Sequence, residues 1–338
     1  MKKIKTSLIV LSILLVAAII TLPLIEYFKK PKLTERKDFA IENIADIDSI
    51  FLVNRAGENT LLRKQADGRW TVNNQFNAAP DKIERLLKTM NKLEAKNPVA
   101  QTAQQRIVND LAVSGIKVQA FMKNGDTKTY YVGGQTADEM GTFMYMDGST
   151  IPFVVHIPGF RGYLTPRYSV NPLDWRDKAI FATPIDKLAA VQVTYPDTAQ
   201  KSFQLVKDAA NNFTVKQNGA AAAATKQEFA KLYAAQFNNI TFEAYLSGYS
   251  KSFVDSLQQA KPKAIVAITR NDGSTATLRV FYKPVTSDTK SLYDDKGNVL
   301  VYDSDNYFAL IDGSPELITV QDYIFRHVFK SYKDFVKQ

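Results

Sequence analysis

The sequence predicts an α+β protein: an N-terminal transmembrane helix, two tandem βββ-αα-ββββ repeats with mainly antiparallel sheets, and a C-terminal helix. Three observations predict this fold. Residues 6–25 form an uncharged apolar stretch of bilayer length. The same order of strand and helix patterns then occurs twice. Within each copy the strands and the helices are grouped rather than alternating, which is typical of α+β domains.

The charge distribution favours a membrane surface over nucleic acid. The chain has 338 residues and a net charge of +9. Residues 1–38 hold eight Lys or Arg and three Asp or Glu, so +5 of this charge flanks the apolar stretch. Basic residues in that position suit anionic lipid headgroups, and no nucleic-acid partner is expected. The chain has no Cys, which excludes disulfides, thiolate catalysis and Cys-ligated metal sites.

Residues 1–38 are predicted to be an uncleaved signal anchor with a juxtamembrane linker. Twenty apolar residues at about 1.5 Å each span the roughly 30 Å hydrocarbon core. The bulky residues up to Phe28 offer no small-residue cleavage site. The expected location is the inner (cytoplasmic) membrane, with a single pass and the body outside the cytoplasm. The lysines after the apolar stretch leave this orientation open.

Residues 39–165 and 180–313 are predicted to be two copies of one unit. In each copy, three strand patterns precede two amphipathic helices, and four strand patterns follow them. The paired opening strands lie near 50–53 and 188–193, 61–64 and 203–206, and 70–73 and 213–216. The paired helices lie near 80–93 and 225–237, and near 103–112 and 250–260. The closing strands lie near 116–121, 129–132, 142–146 and 153–156 in the first copy, and near 264–268, 277–280, 299–302 and 307–310 in the second.

Two further segments complete the domain organisation. Residues 166–179 are predicted to be a connector between the repeats. Residues 314–338 are predicted to be an amphipathic helix that opens at Pro315 and has an apolar face running from Ile324 to Val336. This helix is expected to pack on the second repeat, with a partner protein or a membrane surface as the alternative.

Several motifs identify a family resemblance. They are Trp70-Thr71-Val72-Asn73, Tyr130-Tyr131-Val132-Gly133-Gly134, and the run from Ile157 to Tyr168 that reads I-P-G-F-R-G-Y-L-T-P-R-Y. The chain resembles an uncharacterised domain-of-unknown-function family of membrane-anchored envelope proteins common in Bacteroidetes-type bacteria. Some members accompany auxiliary components of gliding-type ABC transporters, so the resemblance implies an accessory role in the envelope. It brings no catalytic residues.

No sequence motif indicates a catalytic, cofactor or metal site, and none is predicted. The nucleophile elbow, the phosphate-binding loop and the dinucleotide fingerprint have no match. The two His residues, His156 and His327, have no carboxylates at metal-ligand spacing. Asp-rich segments at 294–298 and 303–306 could suggest calcium, but their spacing favours hairpin turns.

One segment combines aromatic and Arg side chains on irregular backbone, as binding surfaces often do. The candidate residues are Arg161, Tyr163, Arg167, Tyr168 and Trp175. The alternative is that these side chains form a buried connector between the repeats.

The leading hypothesis is therefore a non-enzymatic, membrane-anchored envelope protein that acts as a scaffold or accessory subunit of a membrane complex. The first alternative is an extracytoplasmic module that binds a peptide, glycan or lipid through the segment from Arg161 to Trp175. A hydrolase with an unrecognised site would need a buried pair of carboxylates in a pocket.

Overall fold

A computed structural model describes residues 35–287 and 289–337. The chain divides between Asp177 and Lys178 into two compact units. The predicted transmembrane segment, residues 6–25, lies outside the described residues. Within the described part of the chain, no helix is long and apolar enough to cross a membrane.

Among the described residues, the first unit contains one nine-stranded antiparallel sheet and two α-helices. The strand order across the sheet is β4-β3-β2-β1-β6-β7-β8-β9-β5. The elements are β1 (Ile47–Val53), β2 (Asn59–Lys64), β3 (Trp70–Val72), β4 (Phe76–Asn77), α1 (Pro80–Asn91), β5 (Glu94–Pro98), α2 (Gln101–Ser114), β6 (Ile116–Met122), β7 (Thr127–Gln135), β8 (Thr142–Met146) and β9 (Phe153–His156).

The two helices of the first unit cover opposite faces of its sheet. Successive side chains of a strand point to opposite faces, and β7 shows this clearly. Tyr130 lies in the main core together with Leu86 and Met90 of α1. Tyr131 packs instead on the smaller cluster formed by Ile107 and Leu111 of α2. The sheet is therefore a central layer with α1 on one side and α2 on the other.

The first helix forms where the sequence predicts it. Pro80 occupies its first turn, where the missing N–H costs no hydrogen bond. Ile83, Leu86 and Met90 recur at helical spacing and are buried, so one apolar face fixes the helix on the sheet.

The second unit repeats this arrangement. Its nine-stranded sheet has the order β14-β13-β12-β11-β17-β18-β19-β20-β16, which matches the first sheet strand for strand. The elements are β10 (Ala179–Phe181), β11 (Leu188–Thr194), β12 (Phe203–Lys207), β13 (Phe213–Gln217), β14 (Ala220–Ala221), α3 (Gln227–Ala235), β15 (Ile240–Thr241), β16 (Ala244–Tyr245), α4 (Lys251–Gln259), β17 (Ala264–Arg270), β18 (Thr275–Pro284), β19 (Tyr302–Ile311), β20 (Leu317–Gln321), α5 (Asp322–Val328) and α6 (Tyr332–Phe335).

The helices of the second unit also lie on both faces of the sheet. Tyr233 of α3 belongs to the main core, whereas Val254 of α4 belongs to a smaller cluster with Phe281 and Phe308. The prediction of mixed α and β structure with mainly antiparallel sheets is confirmed: the strand pairs in both sheets are antiparallel.

The predicted order of elements within each unit needs correction. Short strands absent from the prediction pair with the sheet edges, and β5 between the two helices is an example. Its sequence, Glu-Ala-Lys-Asn-Pro, is polar and has no strand pattern. It becomes a strand because it pairs with β9 at the edge, where polar side chains and Pro are tolerated.

The predicted connector at 166–179 is not a separate segment. Most of it belongs to the first unit, because Tyr168 and Trp175 are buried in the main core beside α1. Two short 3-10 turns, Thr165–Arg167 and Pro172–Asp174, shape this segment. Only its last two residues fall in the second unit, where Ala179 begins β10.

The end of the second unit also differs from the prediction. Residues 299–301 are outside the sheet, and the strand that matches β8 is β19. The predicted helix at 314–338 begins instead with β20, because Leu-Ile-Thr-Val is rich in β-branched residues and pairs with β19. Helices α5 and α6 follow, and their Phe325 and Phe335 are fully buried in the main core of this unit.

Candidate binding sites

A cavity of about 490 Å³ lies in the first unit between α1 and the segment that follows β9. Its volume is within the range of small-molecule sites. Its lining combines cationic and aromatic side chains. The lining residues are Lys82, Arg85, Leu86, Phe160, Tyr163, Pro166, Arg167, Ser169, Asp174 and Trp175.

The half-buried guanidinium of Arg167 is held in place at the cavity. Its Nη1 donates a hydrogen bond to Oγ1 of Thr89 over 2.9 Å, and its Cζ lies 4.4 Å from the centroid of the Phe160 ring, a cation–π geometry. Burial is the largest influence that lowers the pKa of Arg167, and the nearby charge of Arg85 lowers it further. Arg167 nevertheless stays cationic, as Arg does in proteins.

The wall of the cavity around Trp175 is fixed by hydrogen bonds within the segment and from α1. The indole Nε1 of Trp175 donates to the backbone oxygen of Ser169 over 2.8 Å. The Ser169 hydroxyl donates to Oδ2 of Asp174 over 2.5 Å. Lys82 Nζ donates to the backbone oxygen of Asp174. Trp175 therefore presents a buried, oriented aromatic surface rather than a mobile one.

Three of the five residues predicted as a binding surface meet at this cavity: Tyr163, Arg167 and Trp175. Tyr168 does not line it. Its side chain is fully buried in the core, and its hydroxyl lies 3.3 Å from that of Tyr130. Arg161 is exposed and is also absent from the lining.

The prediction missed the contribution of α1 to the site. Lys82 and Arg85 lie on the polar side of this helix and reach the cavity. Their charge and helical spacing are visible in the sequence, but their proximity to the segment around Arg167 depends on the tertiary fold.

A second cavity of about 500 Å³ lies on the α2 side of the sheet beside Tyr131 and Tyr145.

A second candidate surface lies between β18 and β19 of the second unit. Residues 285–287 and 289–301, which we call the hairpin arm, extend this hairpin beyond the sheet. The equivalent connection in the first unit, between β7 and β8, is only residues 136–141. The arm is held by backbone hydrogen bonds from Val285 to Val301 over 3.2 Å and from Leu300 to Leu292 over 2.9 Å. It is therefore an ordered projection of the hairpin and has no counterpart in the first unit.

The hairpin arm exposes large hydrophobic side chains. Val299 and Val301 are 73% and 71% exposed. The region from Tyr282 to Tyr302 provides six of the eleven exposed large hydrophobic residues among those the structure describes. At the base of the arm, the rings of Tyr282 and Tyr302 stack with centroids 4.9 Å apart. Single exposed hydrophobic residues are ordinary, whereas a cluster of them marks a contact surface.

The Asp-rich segments of this region form turns. Oδ1 of Asp294 accepts the backbone N–H groups of Lys296 and Asn298 at the tip of the arm. Oδ2 of Asp303 accepts a hydrogen bond from Lys283 Nζ over 2.7 Å, and its Oδ1 accepts the Asp305 N–H. Burial opposes the charge of Asp303, but these bonds outweigh it, so the pKa of Asp303 lies below its ordinary value.

Comparison with known families identifies the family of the chain. Residues 70–264, more than half of its length, match the family described as Domain of unknown function (DUF4340). The chain belongs to this family. No curated protein and no solved structure matches it.

The match to DUF4340 supports the resemblance to an uncharacterised family, and the family description assigns no activity or partner. The matched residues include the cavity beside α1. The hairpin arm lies outside them. Of the cavity beside α1 and the hairpin arm, only the cavity therefore belongs to the part of the chain that matches DUF4340.

Proposed function

We propose that this DUF4340 protein is a non-enzymatic accessory subunit of a membrane complex, anchored in the cytoplasmic membrane through residues 6–25, with its body outside the cytoplasm. In this proposal its two units are tandem copies of one fold. The repeated sequence patterns and the matching strand orders of the two sheets support the duplication. The apolar stretch and its flanking lysines support the anchor.

The observation that carries the proposal is the exposed apolar surface of the hairpin arm. A surface of this kind gains free energy when a partner removes it from water. The partner is expected to be a protein rather than lipid, because the tip of the arm bears Asp294, Asp295 and Lys296, and burying these charges in hydrocarbon is costly.

The positions of the acidic side chains among the described residues bear on the hydrolase alternative. The hydrolase alternative requires two buried carboxylates in one pocket. Asp303 is the one buried acidic side chain among the described residues, and Lys283 neutralises it. The cavity beside α1 has a single carboxylate in its lining, that of Asp174.

The test compares the proteins that co-purify with three forms of the full-length chain at native expression in a mild detergent. One form is wild type, one has Val299→Asp with Val301→Asp in the hairpin arm, and the control has Val113→Asp. Val113 lies on α2 and is 61% exposed, so the control adds a charge at a similar surface position outside the arm.

We expect one set of membrane proteins to be retained by the wild type and the Val113→Asp form and lost from the arm variant. Desolvating the two new carboxylates at an apolar interface costs several kcal/mol, enough to abolish a micromolar contact. A wild-type chain that purifies alone, or an arm variant that retains the same partners, would count against the proposal.

A further inference from the structure

The cavity beside α1 has an excess of positive charge. Lys82, Arg85 and Arg167 line it, and Asp174 is the one acidic residue in the lining. The side chain of Asp174 already accepts a hydrogen bond from Ser169. Two positive charges therefore lack a counter-charge within the cavity lining.

Arg167 is the cation that the fold itself positions. Within the described part of the chain, it forms no ion pair with a carboxylate, and Thr89 is its one hydrogen-bond acceptor. Thr89 is fully buried and is itself fixed, because its hydroxyl donates to the backbone oxygen of Arg85 over 2.7 Å. The ring of Phe160 also contacts the guanidinium, whose Cζ lies 4.4 Å from the ring centroid. An Arg that is immobilised before binding loses little entropy when it binds an oxyanion.

The second cation, Arg85, lies close to the first. Both residues line the cavity, and the charge of Arg85 is one of the causes that lower the pKa of Arg167, so the two guanidinium groups repel each other. The carboxylate nearest to Arg85, that of Asp81, is 3.9 Å away in an exposed i,i+4 pair, which is worth little. An anion placed between the two Arg side chains would relieve this repulsion.

The rest of the cavity wall is apolar or aromatic. Trp175 and Leu86 are nearly fully buried, at 4% and 1% exposure, and Phe160, Tyr163 and Pro166 complete this wall. Such a wall favours a flat or apolar group in contact with the charged end of the cavity.

We infer that this cavity binds a small organic oxyanion, a carboxylate or a phosphate carried on an aromatic or apolar group, with Arg167 and Arg85 as the anion-binding residues. The inference does not depend on the partner contact through the hairpin arm. A chain that binds such an anion but purifies alone would support this inference and contradict the proposed function.

The test is isothermal titration calorimetry on the full-length chain in a mild detergent, with matched detergent blanks. The probes are phenyl phosphate, phenylacetate, the neutral phenylacetamide and inorganic phosphate. Phenylacetamide has nearly the shape of phenylacetate but lacks the charge. We expect it to bind at least about tenfold more weakly than phenylacetate, because it loses charge-assisted hydrogen bonds. Inorganic phosphate is expected to bind more weakly than phenyl phosphate, because it leaves the aromatic wall uncovered.

Two arginine variants form a matched pair for this test. Arg85→Gln removes a cavity cation whose side chain is 63% exposed and pairs with Asp81. Arg106→Gln removes a cation of α2 that is 66% exposed, also forms an i,i+4 ion pair, with Asp110, and lies outside the cavity lining. We expect Arg85→Gln to weaken phenyl phosphate binding about tenfold and Arg106→Gln to leave it unchanged.

A third variant, Arg167→Lys, keeps the charge and loses the planar fork. It is expected to weaken both anions about tenfold. Equal affinities for phenylacetate and phenylacetamide would overturn the inference, as would equal effects of the two Gln variants. Absence of binding by both organic anions up to millimolar concentration would overturn it as well.

Discussion

The hydroxyl groups of Tyr130 and Tyr168 form a buried pair whose contribution to stability can be measured. Both side chains are fully buried, and the two oxygens are 3.3 Å apart. This distance is long for an O–H···O bond, so the bond itself is expected to contribute only about 0.5 kcal/mol. Each hydroxyl is nevertheless the one hydrogen-bond partner of the other among the described residues.

Removing one hydroxyl and removing both should have different effects. Tyr130→Phe or Tyr168→Phe alone loses the bond and leaves a buried hydroxyl without a partner, at a total cost of about 1.5 kcal/mol of unfolding free energy. The double variant leaves no polar group unpaired, so its unfolding free energy should be within about 0.5 kcal/mol of wild type. The double-mutant cycle should then give a coupling energy of about 3 kcal/mol.

Intrinsic tryptophan fluorescence during guanidinium unfolding is a suitable assay. The chain has two Trp residues, and Trp70 and Trp175 both lie in the core that contains the tyrosine pair, so the signal reports the unfolding of the first unit. Tyr131→Phe is the control. It changes a half-buried neighbour in the same strand and should alter the unfolding free energy by less than about 0.5 kcal/mol. Additive losses in the double variant would refute the reasoning, because they would mean that each hydroxyl has a partner of its own.

Two further predictions concern the first unit. Burial raises the pKa of both paired tyrosines, so above pH 10 the unfolded chain releases protons that the folded chain keeps. Stability should therefore be full below about pH 10 and fall as the pH rises, and fluorescence-monitored unfolding should show a shallower fall in the double Phe variant. Gly133→Ala places a Cβ 2.7 Å from a side-chain carbon of Leu111, and this overpacking should lower the unfolding free energy by about 1–3 kcal/mol in the same assay. Gly134→Ala has open space around its Cβ, so it should lower the unfolding free energy by less than about 1 kcal/mol. A Gly134→Ala loss equal to that of Gly133→Ala would contradict the proposed packing of α2.

The first unit could be predicted closely where its residues follow a clear period. The predicted strands at 142–146 and 153–156 coincide with β8 and β9, because short runs rich in aromatic and β-branched residues lie between turn residues there. The start of α1 is fixed by Pro80. The polar strand β5 could not be predicted, because its pairing with β9 is a tertiary contact and not a local preference.

The second unit was harder to predict because the hairpin arm interrupts the repeat. The run Val299-Leu300-Val301-Tyr302 has a strong strand pattern. The sequence alone therefore predicts that this run is the counterpart of β8. The arm shifts the alignment of the two repeats by one strand, so the sequence pattern predicts that 307–310 corresponds to β9, the place that β20 occupies in the structure. The strand at 317–321 then has no counterpart in the predicted repeat, and the sequence pattern includes it in the C-terminal helix.

The candidate cavity shows which part of a site a sequence can predict. Aromatic and Arg residues between 160 and 175 indicated a binding segment, and Tyr163, Arg167 and Trp175 do line one cavity. The sequence pattern could not show that Tyr168 is buried in the core while its neighbours line the cavity, because the burial of one Tyr among several depends on the tertiary packing. The tertiary fold also brings Lys82 and Arg85 of α1 to the cavity. The positive charges of these two residues make the aromatic cavity suited to anions. The proposed class of ligand therefore depends on the tertiary fold and not on the segment between 160 and 175 alone.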